Sequence, residues 1–520
     1  MQCVTSNHGF QVMTHRFGAH SLASLAIAML FVAVGNRDST AAGPLLAGVA
    51  KVDITKREAG PVNDPLYVKI LVLKDDDTTV VLGTVDAVAV GEIGHIKNSY
   101  LTNVRDRLQA EYQIPAESFI VNASHCHGIV CEDIEDRTIE AVKLALSTLT
   151  PVTVGAGSGF ENRIMENRRL RLKNGRELDV RHAYSLPPDE EVESVGPIDP
   201  QIGLLRINRL SGETLAVVYN FACHPIQGVP NGGNTADLVG FASKVIEENL
   251  SPGTMAFFLQ GCGGDINPVL YKDVSHPRDA EPHGTKLGLS TLQAVRSIDC
   301  KTTEGMQLMT EFIDLPRANL AERILELETE QKRLVASLQG TSLNLKTFLP
   351  LVTKYRMDPE HPSYYSHRYL QEQAIGKEDL RRMDAENLKN MNAYIHNIHT
   401  MENLSRVQVN LELLRMHERQ NATAASRTIR VEVSALRVGD FRWITFPGEL
   451  TVQIGLNIKS QAPFPNTFVS GYTNGYIYYA PTAEQLRNLG GAQEDSDCIL
   501  APEWQEMFEA KALSMLNGLH

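Results

Sequence analysis

Apolar and polar positions along the chain keep two different rhythms, and the changes of rhythm mark its parts. Ala47-Gly48-Val49-Ala50-Lys51-Val52-Asp53-Ile54-Thr55 carries strand signals and runs into a Gly/Pro turn. Tyr67 to Leu73 and Thr79 to Val90 read as a hairpin around Asp75-Asp76-Asp77. Lys97 to Tyr112 predicts a helix that leads through Ile114-Pro115 into the apolar run Phe119-Ile120-Val121. Ile139 to Leu149 predicts a second helix, with Val142 and Leu146 on one face. Helices alternating with strands predict an α/β core with a mixed sheet, α+β being the alternative.

The middle of the chain has a different texture. Leu320, Ile324, Leu327, Leu334 and Leu338 recur at helical spacing among many charges, and Leu388, Met391, Ile395 and Ile398 repeat the pattern. The two stripes predict a helical hairpin inserted at about residues 317–412 of one large domain. His361, His367, His396 and His399 fall in it and are read as surface or packing residues.

Chemistry collects where apolar runs end. Phe119 to Ala123 is followed by Ser124-His125-Cys126-His127. Residues i and i+2 of an extended segment point to one side, so both imidazoles can enter one pocket. Imidazole binds zinc and moves protons near neutral pH. A lone His-x-His is more often simply polar loop. Here, however, the strand-then-polar pattern recurs before Cys223-His224-Pro225, before Gly263-Gly264-Asp265-Ile266-Asn267-Pro268, before Pro447-Gly448-Glu449, and before Gly471-Tyr472-Thr473-Asn474. Ligands gather beyond strand ends in open α/β sheets. One edge of one sheet is therefore expected to bring together His125, His127, His224, Asp265, Glu449 and a tyrosine.

Composition narrows the classes. The 520 residues are 43% hydrophobic and 21% charged, an ordinary globular balance. A net charge of -13 argues against a general nucleic-acid binder, which needs a basic face. Arg16 and His20 precede an apolar run from Ser21 to Val34, with Thr40-Ala41-Ala42 beyond it. That pattern predicts an export signal over residues 1–42, and hence a periplasmic or extracellular protein. No later run reaches spanning length, so the mature chain is expected to have no transmembrane span. Outside the signal there are six cysteines, too few in so long a chain for a disulfide scaffold. Cys126, Cys223 and Cys262 sit beside candidate site residues, but no Cys-x-x-Cys spacing supports zinc thiolates, and they are read as small buried residues.

Taken in order, Lys51-Val52-Asp53-Ile54-Thr55, Ser124-His125-Cys126-His127, Asn220-Phe221-Ala222-Cys223-His224-Pro225, Gly264-Asp265-Ile266-Asn267-Pro268, Pro447-Gly448-Glu449 and the segment Asn474 to Glu484 resemble the large catalytic domain of the neutral/alkaline non-lysosomal ceramidases. The resemblance spans about residues 46 to 490. It implies a zinc ion held by His125, His224, Glu449 and Tyr479. Tyr479 is preferred over Tyr476 and Tyr478 because Tyr479-Ala480-Pro481-Thr482-Ala483-Glu484 fits the family's Tyr-x-x-Thr-x-Glu pattern. It also implies that His127 is the catalytic histidine and that Arg168 contacts substrate.

The chain departs from that pattern in three places. Asn267 stands where the family has a serine, Ala492 falls where a tyrosine is expected, and no carboxyl-terminal immunoglobulin-like domain is expected after residue 490. The resemblance implies a zinc-dependent amidohydrolase in which a zinc-activated water attacks an N-acyl amide, His127 carries the proton to the leaving amine, and Asn267 donates a hydrogen bond. A small or lipid-like amide is then the substrate, and long-chain ceramide is not expected to be the preferred one. The rival readings are a non-catalytic metal-binding exported protein and a metal-dependent phosphoesterase or sulfatase.

Overall fold

The computed structural model describes residues 44–519 except 77, 181–185, 272, 304, 489 and 490. The expected export signal lies outside the described residues.

Eight strands form the larger sheet: β1 (Leu46–Asp53), β2 (Tyr67–Lys74), β3 (Thr79–Val85), β4 (Phe119–Ala123), β5 (Thr150–Phe160), β6 (Gln201–Arg209), β7 (Thr214–Phe221) and β8 (Met255–Gln260). Their spatial order is β8-β7-β6-β5-β1-β2-β3-β4. Most neighbours are antiparallel, but β3 and β4 run parallel, as do β7 and β8. A parallel pair needs a crossover. Helix α1 (Tyr100–Tyr112) makes the first, followed after β4 by α2 (Ile134–Ser147); α3 (Asp237–Glu248) makes the second, with α4 (Glu281–Val295) beyond β8.

A second sheet has the order β9-β10-β11-β12, built from Met306–Pro316, Thr428–Val438, Phe441–Thr445 and Thr467–Ser470. Strands β9 and β10 pair antiparallel from Met306↔Val438 to Pro316↔Thr428. The insertion therefore sits in the loop of an intact hairpin, where extra length costs little loop entropy. It comprises α5 (Ala321–Ala336), α6 (Leu345–Met357), α7 (Ser366–Ala374) and the 45-residue α8 (Asp379–Thr423). This corrects the sequence expectation: there are four helices rather than two, and they extend to Thr423 rather than 412. The short α6 and α7 carry no long stripe of their own, and polar positions interrupt the stripe of α8. Helix α9 (Val452–Gln461) crosses over between the parallel β11 and β12, and α10 (Trp504–Gly518) follows.

Side-chain alternation stacks these elements in four layers. In β7, Val217, Tyr219 and Phe221 face α3 and α4, while Ala216 and Val218 face the second sheet. In β11, Phe441 and Trp443 face the first sheet, while Ile444 faces α9 and α10. The result is helices, eight-stranded sheet, four-stranded sheet, helices: a mixed α/β architecture in which central strands such as β7 are buried on both faces and read as near-continuous apolar runs. The edges of the larger sheet are tied together by Asn122 of β4, whose Oδ1 accepts from the Gln260 backbone N–H of β8 at 2.8 Å. Its Nδ2 donates to the Gly471 carbonyl and the Thr473 hydroxyl, both at 2.8 Å, just past β12.

Candidate metal centre and its cavity

The parallel pairs β3/β4, β7/β8 and β11/β12 supply strands whose carboxyl ends converge. His125 lies two residues past β4, His224 three past β7, Glu449 four past β11 and Tyr472 two past β12. The ends come from two sheets, which corrects the expectation that one edge of one sheet gathers them. His125 and His127 do line one cavity, but not through strand alternation. β4 stops at Ala123, and His125 has a left-handed φ of 68°. Tyr472 and Tyr478, also non-glycine, have φ values of 53° and 65°. Such conformations persist only where surrounding packing enforces them, and they concentrate at functional sites.

His125, His224 and Glu449 form a buried group whose ligand atoms all lie within 4.8 Å of one another. His125 Nδ1 is 2.6 Å from the Val88 carbonyl oxygen, and His224 Nδ1 is 2.9 Å from that of Ile266. A carbonyl can only accept, so each Nδ1 carries a proton and each Nε2 is the ring nitrogen left for Glu449 or a metal ion. Both Nε2 atoms face Glu449 Oε2, at 3.6 Å and 3.2 Å. Two imidazole nitrogens and a carboxylate oxygen thus converge in a buried place, a donor set that could hold a cation. A carbonyl behind each imidazole is also the usual support of a metal-bound histidine. The donor set therefore fits a metal ion.

The carboxylate is held from its other sides by tyrosines. Tyr472 donates to Oε2 at 3.1 Å, and Tyr476 donates to Oε1. Burial alone pushes the Glu449 pKa up, but the imidazoles of His125 and His224 and the Tyr476 hydroxyl outweigh it and hold it well below the usual carboxylate range. Burial and then the Glu449 charge push both tyrosines well above theirs, so they remain donors. Close backbone approach sets the position of Glu449. A Cβ on Gly264 would lie 2.6 Å from the Glu449 carbonyl oxygen and 2.8 Å from that of Leu450. The Gly-Asp of the segment after β8 is thus a packing requirement. Asp265 itself accepts from the Val452 N–H and the Asn167 amide and holds backbone in place.

The triad opens on a cavity of about 640 Å³ that is also lined by His127, Arg168 and Tyr479. His127 is exposed, its ring centroid 5.8 Å from that of His125. Tyr479 is the register partner of Glu449 in a two-residue parallel pair, which places both side chains on one side. Its hydroxyl oxygen accepts from Arg168 Nη2 at 3.2 Å. Arg168 is buried, with Nε on Glu494 at 2.5 Å, Nη1 on Asn267 Oδ1 at 3.0 Å and Nη2 on the Gly264 carbonyl at 2.5 Å. Asn267 lies behind Arg168, its Oδ1 engaged there, and does not line the cavity. Ala492 is fully buried outside it. Cys126, Cys223 and Cys262 are free, take no part in the triad, and burial pushes their thiols up.

Sequence reasoning missed Tyr472, and it set Tyr476 aside as a ligand without foreseeing its bond to Glu449. It also missed Leu413 and Met416 of α8, which line the cavity and make the insertion part of its wall. Gln420 Nε2 donates to the Tyr478 hydroxyl at 2.8 Å, and His417 Nε2 meets Asp497 Oδ1 at 2.8 Å, so α8 is pinned beside the cavity. The only signal available was that the α8 stripe continues past Met401 through Leu404, Val407, Leu411 and Leu414.

Four layers with a buried two-histidine, one-carboxylate centre at converging strand ends define the protein class as an α/β fold built around a candidate metal site. Solved structures with a similar fold include ceramidases. The neutral ceramidase from Pseudomonas aeruginosa aligns with a TM-score of 0.57 at 16% identity, over 92% of this chain and 75% of that one. A ceramidase complexed with C2 aligns with a TM-score of 0.57 at 17% identity, over 92% and 76%. No family model matches the chain, and no curated protein matches it by sequence. Among the described residues, no helix is long and apolar enough to cross a membrane.

Proposed function

We propose that the protein is a zinc-dependent hydrolase of N-acyl amide bonds, similar in activity as in fold to the neutral ceramidases. The observation that carries this reading is the convergence of His125 Nε2, His224 Nε2 and Glu449 Oε2 at the wall of a cavity, with an exposed histidine beside them. Zinc held there supplies Lewis-acid activation of water and of an amide carbonyl.

The chain's own groups have separate tasks. His125, His224 and Glu449 are the ligands, with Tyr479 the fourth. Tyr479 is favoured over its neighbours because Tyr472 and Tyr476 spend their protons on Glu449, whereas the Tyr479 oxygen faces the Arg168 cation. His127 exchanges protons with solvent and delivers one to the departing amine, as a general acid must. Arg168 lines the cavity and orients the acyl group, with Asn267 holding the guanidinium from behind. Asn267, where the family has serine, can bear on substrate only through Arg168, and that changed support favours small or lipid-like amides other than long-chain ceramide. The apolar run from Ser21 to Val34 supports export, and a mature amino terminus near residue 43 in the periplasm or medium checks it.

Turnover of an acyl-amide panel that includes long-chain ceramide, with and without chelator, tests the reading. Phosphate and sulfate esters belong in the same panel. Chelator-sensitive amide hydrolysis supports the proposal. Turnover of esters alone assigns the site to the rival hydrolases, and metal binding without any turnover leaves a binding protein.

A further inference from the structure

The insertion carries an apolar surface that its own packing does not use. Helix α6 is capped at Asn344, whose side chain accepts from the Lys346 and Thr347 N–H groups. Its inner face packs Phe348 and Tyr355 against Met391 of α8, with Phe348 stacked on Tyr394 at 4.4 Å. Its outer face is apolar as well: Leu345 is 58% exposed, Leu349 54% and Met357 81%.

Charge identifies the cover. Residues 345–357 contain Lys346, Lys354 and Arg356 and no carboxylate, in a chain of net charge -13. All three cations are exposed; at about 3.6 residues per turn Arg356 falls between the two leucines, Lys346 lies beside them and Lys354 is farther round the helix. Apolar side chains flanked by lysine and arginine match a bilayer surface, where apolar groups enter the acyl boundary and cations meet anionic headgroups. We propose that the outer face of α6 docks the protein on an anionic phospholipid bilayer. The face stands roughly 30 Å along α8 from the cavity, taking Tyr394 to Leu413 at 1.5 Å per residue. It therefore delivers the protein to a membrane surface and forms no part of the pocket. The inference holds whatever bond the site cleaves.

Co-sedimentation of the full chain with unilamellar vesicles tests it. The expected result is binding to vesicles of equal parts phosphatidylglycerol and phosphatidylcholine, weakening as salt is raised, and little binding to phosphatidylcholine alone. The paired variant Leu345→Glu/Leu349→Glu and, separately, Lys354→Glu/Arg356→Glu should each lower vesicle affinity by about tenfold or more. All four positions are exposed, so thermal unfolding should be unchanged; should the leucine variant unfold, the cation variant and the salt series decide. Absence of binding to anionic vesicles, equal binding to neutral ones, or full binding by both variants overturns the proposal. Self-association of the wild-type chain that Leu345→Glu/Leu349→Glu abolishes, with no vesicle binding, overturns it too and assigns the face to a second copy.

Discussion

Replacing Asn122 with alanine should destabilise the protein far more than the loss of a small side chain suggests. Asn122 is fully buried and makes three hydrogen bonds to two other parts of the fold. Truncation leaves the Gln260 N–H without its acceptor, and an orphaned buried donor costs about 1–3 kcal/mol. The Gly471 carbonyl keeps a second donor, the Thr473 hydroxyl at 2.8 Å. The other two bonds are therefore net losses of about 0.5–1.5 kcal/mol each. The sum is about 2–6 kcal/mol, a large share of a typical folding stability. Denaturant unfolding of wild type and Asn122→Ala, followed by fluorescence and circular dichroism together, measures it. The same change should weaken metal retention, because the freed loop carries Tyr472, a donor to Glu449. Asn122→Asp should fare no better, since a carboxylate oxygen then faces the Gly471 carbonyl. A loss below about 1 kcal/mol for Asn122→Ala would refute the reasoning that this side chain couples the sheet edges.

Elemental analysis of His224→Ala should show loss of the bound metal, and full retention removes His224 from the ligand set. His127→Ala should keep the metal and lose on the order of 10²-fold in amide turnover; departure of the metal would make His127 a ligand. Gly264→Ala should lower both thermal stability and metal occupancy, because its Cβ meets two backbone carbonyls that cannot yield; normal occupancy would contradict the close approach. Away from the site, burial pushes Glu161 up, but the Arg163 N–H groups and the Ser290 hydroxyl reverse this and bring it to about 2, against an ordinary 4.5. A carboxylate depressed in the folded state stabilises above its unfolded pKa, and that stabilisation fades as pH falls through the folded one. Wild type should therefore lose melting temperature between about pH 5 and pH 2.5 more steeply than Glu161→Gln, and parallel curves would sink the assignment.

The sequence by itself determined the local elements and most of the chemical inventory. Apolar runs at Phe119 to Val121, Leu215 to Phe221 and Phe441 to Phe446 were legible as strands because strand propensity and burial on both faces act over a few neighbours. The habit of placing polar residues just past such runs pointed to His125, His127, His224, Asp265, Glu449 and a tyrosine, of which the fold brings His125, His224 and Glu449 into one ligand group and uses Asp265 to hold backbone. Only the tertiary structure decided the rest. That β4 and β7 belong to one sheet and β11 to another depends on crossovers and pairings between residues far apart in the chain, and no periodicity records them. The left-handed turn at His125 arises where Val85, Ala87 and Val88 carbonyls capture Ser124, His125 and its ring, a constraint invisible in the letters His-x-His. Tyr472 and Tyr476 resembled their neighbours in a tyrosine-rich stretch until their hydroxyls met Glu449. Asn267 could be named but not placed, since its partner Arg168 lies 99 residues earlier and reaches it only when two short strands pair. Local sequence dictates what each segment prefers to be; which side chains meet in the buried centre is set by the packing of distant segments, where the entropy of closing long loops is repaid by burial.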